Sequence, residues 1–281
     1  MTYTGYFIMK RTLKFVALML TLSTGLASAS EKMSLWQRMQ PPEDIGTYGH
    51  LIHYLFNFTT YLNIFFFGLV CIGIFGFSFL YSAKRHKKPL YTHGKNKKEI
   101  LTVVGIALAV FIIIDMQITR ISAHDYQTVF MNFPKGKDVY KVEVMAQQWM
   151  WNVRLPGKDD VFNTLDDIVT NNDFHVPVNK KVVFQIISKD VIHALYIPNI
   201  RMKVDATPGK ITRMWAEFTK PGIYEIACAE ICGTHHYKMR ARLVVHDAED
   251  FVKWQESAQA IALTVNNPEE PDNFWGWQWK E

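Results

Sequence analysis

Two apolar runs, at 54–80 and about 100–118, decide more about the architecture than any other part of the sequence. The second holds 19 residues, which at 1.5 Å each span roughly 28 Å, enough to cross the hydrocarbon of a bilayer with little tilt. The first is rich in Phe, with Asn57 and Asn63 as its only amides, and its stretch 65–77 offers water no polar face. A surface helix of a soluble protein needs such a face. Seven cations cluster between the runs: Lys84, Arg85, Lys87, Lys88, Lys95, Lys97 and Lys98. Loops rich in Lys and Arg stay on the cytoplasmic side, so this loop is expected in the cytoplasm and both flanks outside it.

The first thirty residues read as a secretory signal. Lys10, Arg11 and Lys14 form a basic start, 15–26 is apolar, and Ala27, Ser28 and Ala29 give a small-x-small cleavage site. Cleavage is expected after Ala29, with the true start at Met9 because residues 1–8 carry no charge. About twelve apolar residues are too few to span a membrane. The expected organisation is then a signal at 1–29, an extracytoplasmic segment at 30–53, spans at 54–81 and 100–118, and a basic loop at 82–99. A globular domain at 125–247 and a C-terminal helix and tail at 248–281 complete it.

From about 125 the pattern becomes that of short strands. VYKVEV at 139–144 alternates in part, KVVFQII at 181–187 is β-branched, and ITRMWAEF at 211–218 alternates again. Pro156-Gly157, Pro208-Gly209 and Pro221-Gly222 punctuate them as turns. Such spacing suggests a sandwich or Greek-key barrel. Beyond 247 a helix is expected near 249–262, then the linker NNPEEP at 266–271, then Trp275, Trp277 and Trp279 at alternate positions. Those three form either an interface patch or a docked terminal strand. The net charge of +5 is concentrated in the basic loop. No basic face interleaved with aromatics is present in the globular part, so nucleic acid is not an expected partner.

The chemistry lies in CAEICGTHHYKM at 228–239, where two thiols, imidazoles and a thioether share one short stretch. A further imidazole, His193, stands upstream in a strand-like segment ending at Pro198. Soft thiolate and thioether donors with imidazole favour copper. Two other readings remain at this point. Cys228 and Cys232 could form a disulfide, which would leave the His and Met offsets unexplained, or half a zinc site, in which Met239 would be idle. Cys71 lies in an apolar run and reads as a buried, inert thiol.

The segment 188–245 resembles the copper A domain of cytochrome c oxidase subunit II, whose loop Cys-x-Glu-x-Cys-x-x-x-His-x-x-Met is matched at every donor position. The resemblance implies two copper ions bridged by Cys228 and Cys232. One would add His193 and Met239, the other His236 and the backbone carbonyl of Glu230; the family spacing selects His236 over His235. It implies a mixed membrane and β fold, with a hairpin of two transmembrane helices followed by a cupredoxin-like Greek-key β-barrel. It further implies electron transfer from cytochrome c to haem in a partner subunit I, within a complex of further oxidase subunits and membrane lipid. Oxygen reduction and proton pumping would belong to the partner. The setting implied is a bacterial cytoplasmic membrane with the copper domain on the periplasmic side. This chain has no Cys-x-x-Cys-His haem motif.

Three further roles follow from the same resemblance. Trp149 would receive the electron from cytochrome c, although Met150 stands where the family often has an aromatic. The Glu230 side chain would help hold magnesium at the interface with the haem subunit. Glu99 would sit at the mouth of a proton channel in that subunit, although Thr102 and Val103 follow it without the family's usual proline. Asp159, Asp160, Asp166, Asp167, Asp173 and Asp190 are candidates for attracting a basic cytochrome c. The rival functions are the electron-receiving copper A subunit of a nitric oxide reductase-type enzyme and a membrane-anchored copper-binding protein.

Overall fold

Two helices carry the apolar runs, and in both the apolar face is left unburied by the rest of the chain. The structure is a computed structural model that describes residues 39–85, 88, 93–136 and 138–266. The expected signal at 1–29 and the tryptophans at 275, 277 and 279 lie outside the described residues. The described residues from Pro42 onward belong to one compact unit.

Helix α1 runs Gly49–Leu80 and helix α2 runs Lys97–Met131. Asn96 caps α2, its side chain accepting from the Lys98 amide at 3.1 Å, and Glu99 lies in the first turn where a carboxylate suits the helix dipole. Large side chains such as Phe67, Ile72 and Phe75 are over 70 % exposed on α1. A surface of that kind is stable in hydrocarbon and not in water. α2 continues well beyond 118, through π-type turns at Phe111–Asp115 and Gln127–Met131. Its last turns are not a membrane segment by composition. They carry Arg120, His124 and Asp125, and Val129 is buried in the core of the following domain. Packing, which hydropathy does not register, extends the helix.

Among the described residues ten strands follow in two sheets. The first has the order β3-β2-β1-β5-β8, made of Ile168–Asn171, Met150–Leu155, Val139–Gln147, Lys181–Ser188 and Thr212–Glu217. The second has the order β4-β10-β9-β6-β7, made of Asp173–Pro177, Arg240–His246, Gly222–Cys228, His193–Ile197 and Met202–Ala206. Neighbours are antiparallel except β1 with β5 and β4 with β10. The alternating residues of both sheets meet in one core, where Trp151, Phe174, Phe184, Leu195 and Phe218 are fully buried. The domain is thus a cupredoxin-like sandwich, or half-barrel, set after the helical hairpin. Helix α3, Ala248–Val265, closes one side, with Trp254 stacked on His175 at 4.0 Å.

The outer face of the first sheet hides charge as well. Arg154 is fully buried and reaches Glu143 at 2.5 Å and Asp167 at 3.8 Å. Burial pushes Glu143 up to about 7 and Asp167 up to about 6, despite the guanidinium between them.

Candidate metal centre

Strand pairing brings the donor-bearing ends together. β6 begins at His193, β9 ends at Cys228, and β10 begins directly after Met239. Cys228 lies opposite Leu195, and its amide donates to the Met239 carbonyl at 3.0 Å. The loop 229–239 therefore leaves one strand and returns beside it, folded over the first residue of β6. Its ascent is fixed by a bond from the Ala229 amide to the Ala194 carbonyl at 3.0 Å.

The sulfurs of Cys228 and Cys232 stand 3.8 Å apart, far beyond the ~2.05 Å of a disulfide bond. A soft cation about 2.3 Å from each sulfur fits that separation without movement of either side chain. The other donors divide around the pair. His193 Nδ1 and Met239 Sδ are 3.2 Å from each other, 4.0 Å from Cys228 Sγ and 3.8 Å from Cys232 Sγ respectively. His236 Nδ1 lies 3.5 Å from Cys232 Sγ, and the Glu230 carbonyl lies 3.2 Å from Cys228 Sγ. His193, Cys232 and Met239 are almost wholly buried and Cys228 nearly so. His236 is half-buried, whereas His235 is exposed and faces the Trp149 ring at 4.6 Å. Geometry thus separates the two adjacent histidines.

Electrostatics also fit a cation. Burial raises both thiols, but a hydrogen bond with His193 and backbone donors draw Cys228 below its ordinary value. Cys232 is held above its own by burial and by the charge of Cys228 beside it. The pair alone gives up one proton readily and resists the loss of a second. Metal charge supplies what the second ionisation lacks, and binding releases the proton.

Two supporting residues escape a reading that looks only for donors. Asp190 Oδ1 accepts from His193 Nε2 at 2.9 Å, which fixes the tautomer and leaves Nδ1 facing the sulfurs. Hydrogen bonds from His193 and from the Gln148 and Val191 amides outweigh burial and keep the Asp190 carboxyl below the usual range. The Gln148 side chain donates to the Cys232 carbonyl at 2.8 Å, and the Trp149 indole N–H donates to the same oxygen at 3.2 Å. Gly233 must be glycine here: its φ is +117°, and a Cβ would come within 2.9 Å of Gln148 Nε2. The sequence signal for Asp190 is its place three residues before a ligand-type histidine on a turn.

The remaining predicted residues are placed as follows. Trp149 is half-exposed and tied to Cys232, whereas Trp151 is core, edge-on to His193 at 6.1 Å. The Glu230 carboxylate is half-exposed, with no hydrogen bond or ion pair among the described residues. Glu99 is exposed on α2, remote in the chain from this centre. Of the six aspartates considered for attracting a basic partner, five are occupied within the fold: Asp159 with the Val161 amide, Asp166 with Thr164 and Gln259, Asp167 with Asn163 and Arg154, Asp173 with Arg242 and His175, and Asp190 with His193.

Comparison with known proteins bears on the family of the chain. Residues 140–247 match the family model described as the cytochrome c oxidase subunit II periplasmic domain. The chain is 29 % identical over 228 residues to the alternative cytochrome c oxidase subunit 2 of Bradyrhizobium diazoefficiens, covering 73 % of this chain and 79 % of that protein. It is 37 % identical over 121 residues to cytochrome c oxidase subunit 2 of Thermostichus vulcanus, covering 43 % and 34 %. A solved structure similar to it is the periplasmic domain of cytochrome oxidase subunit II of Bradyrhizobium japonicum. That likeness has 26 % identity, 46 % of this chain, 99 % of that chain and a TM-score of 0.41.

Proposed function

The chain belongs to the cytochrome c oxidase subunit II family through its domain at residues 140–247, and on that premise we propose that it carries electrons from cytochrome c to haem in subunit I. The observation behind this reading is the pair of thiols 3.8 Å apart with imidazole, thioether and carbonyl donors grouped around it. Cys228, Cys232, His193, Met239, His236 and the Glu230 carbonyl would hold two copper ions. When bound, the copper pair would supply a one-electron carrier.

The protein's own groups do the rest. Trp149 receives the electron at the surface, because its indole N–H is fixed to the Cys232 carbonyl and its ring is half-exposed. Asp190 holds His193 in one tautomer, and burial of the sulfurs excludes water. The Glu230 carboxylate, unpaired within the described chain, would take magnesium together with oxygen donors from subunit I. Glu99 lies at the end of α2 next to the basic loop, where it would collect protons for a channel in subunit I. The setting is a bacterial cytoplasmic membrane, with 1–29 removed and the sandwich on the periplasmic side. Oxygen reduction and proton translocation belong to the assembled complex.

Trp149→Phe tests the electron route. It removes the hydrogen bond to Cys232 while keeping an aromatic ring. We expect unchanged copper absorption and electron uptake from cytochrome c slowed at least about ten-fold, as loss of one bond worth about 1.4 kcal/mol at the transition state implies. Unaltered uptake would remove Trp149 from the route, and loss of copper together with activity would make it a packing residue.

A further inference from the structure

A cavity of about 480 Å³ opens between the segment that leaves α2 and the outer face of the first sheet. Its walls carry Lys135, Lys141 and Arg213 and no carboxylate, with Phe133 and Val183 as apolar surface. Strand register explains why the polar groups meet. Gln185 on β5 lies opposite Arg213 on β8, and Lys141 on β1 lies opposite Val183, two residues before Gln185 and on the same face. Opposed Cβ atoms of antiparallel strands are about 5 Å apart, so Arg213 and Gln185 line the cavity side by side. Gln185 is only 9 % exposed, and its amide makes no hydrogen bond with any described residue. Arg213 and Lys135 are likewise without an ion pair or hydrogen bond among the described residues. Glu143, opposite Gln185 in the pairing of β1 with β5, is turned to Arg154 at 2.5 Å and does not line the cavity.

We propose that this cavity is an anion site for a small ligand bearing a phosphate-class oxyanion. The buried amide donates to one oxygen, and the cations neutralise the charge through stronger, charge-assisted bonds. The volume lies within the range of small-molecule sites. No residue is shared with the metal centre, so the two can be altered separately.

Calorimetric titration of the full-length protein in detergent with pyrophosphate reads the site. We expect saturable binding that weakens with added salt, and that is about ten-fold weaker in Arg213→Gln. Lys135→Gln should weaken it by a smaller factor. Both side chains are exposed, so copper absorption should stay unchanged in each variant. Absence of saturable binding at millimolar pyrophosphate, or equal binding by wild type and both variants, overturns the assignment. A cross-link from Lys135 to an acidic side chain of a partner subunit in the assembled complex does so too, because the cavity is then a protein contact.

Discussion

Asp190 accepts from His193 at 2.9 Å and from the Gln148 amide at 2.7 Å, and so joins a metal-type histidine to the corner that carries Trp149. By charge alone the same residue reads as one more surface acid. Its hydrogen bonds say that it positions the imidazole. Asp190→Ala should therefore weaken copper binding by roughly ten- to a hundred-fold, the usual cost of losing such a partner, and shift the visible absorption. Asp190→Asn should do less, since an amide oxygen still accepts from Nε2. Competition against a chelator measures both. Unchanged affinity and spectrum, with only the salt dependence of cytochrome c oxidation altered, would make Asp190 a steering charge.

Helix α3 is held to the sandwich by an imidazole pair that bridges two strands. His175 Nε2 donates to Asp173 at 3.1 Å, and His175 Nδ1 meets His246 Nε2 at 2.8 Å, so His246 is the donor between the rings. Trp254 lies parallel over His175, and Arg242 engages Asp173 through two bonds. Burial lowers the pKa of both imidazoles below 6.5; Arg242 opposes charge on His175, while Asp173 favours it and Asp250 favours charge on His246. A depressed folded value means that the neutral pair stabilises the fold above the unfolded value, and that this is lost as pH falls below it. We expect the thermal midpoint to drop from pH 7 toward acid, and the drop to be smaller in His175→Phe, which keeps the stack on Trp254 but cannot titrate. Glu143 and Asp167 act in the opposite sense, their raised values costing stability as pH rises, so the difference between wild type and variant isolates the imidazoles. An identical slope in both would show that the pair does not titrate on unfolding. Nothing in the sequence flags this contact, because residues 71 apart meet through the parallel pairing of β4 with β10. The strands themselves are legible where alternation and β-branching mark them, as in β1, β5 and β8. Their order is not, since β1 and β5 pair across a long crossover. The donor loop is legible because five of its donor positions fall within 228–239; Asp190 and Gln148 are not, because their work depends on where His193 and Cys232 end up in space.

The whole molecule is built for two solvents. α1 and α2 present large apolar side chains outward, while the sandwich closes its apolar residues inward and keeps its thiols at one end. The same physical rule gives opposite patterns in the two halves, which is why hydropathy alone marks the hairpin and periodicity marks the strands. α2 links them directly, running from the apolar span into the sandwich core at Val129. What the assembly is for depends on which metal that end would hold. The most direct measurement is copper content and electron-spin resonance of the purified full-length protein. Two copper ions per chain are expected, with a signal split by two equivalent nuclei, lost in Cys228→Ser or Cys232→Ser and in His236→Ala but kept in His235→Ala. Met239→Leu should retain the pair, since a thioether is a weak donor that mainly tunes potential. One metal ion per chain, or loss of the signal in His235→Ala alone, would contradict the two-copper centre and the function built on it.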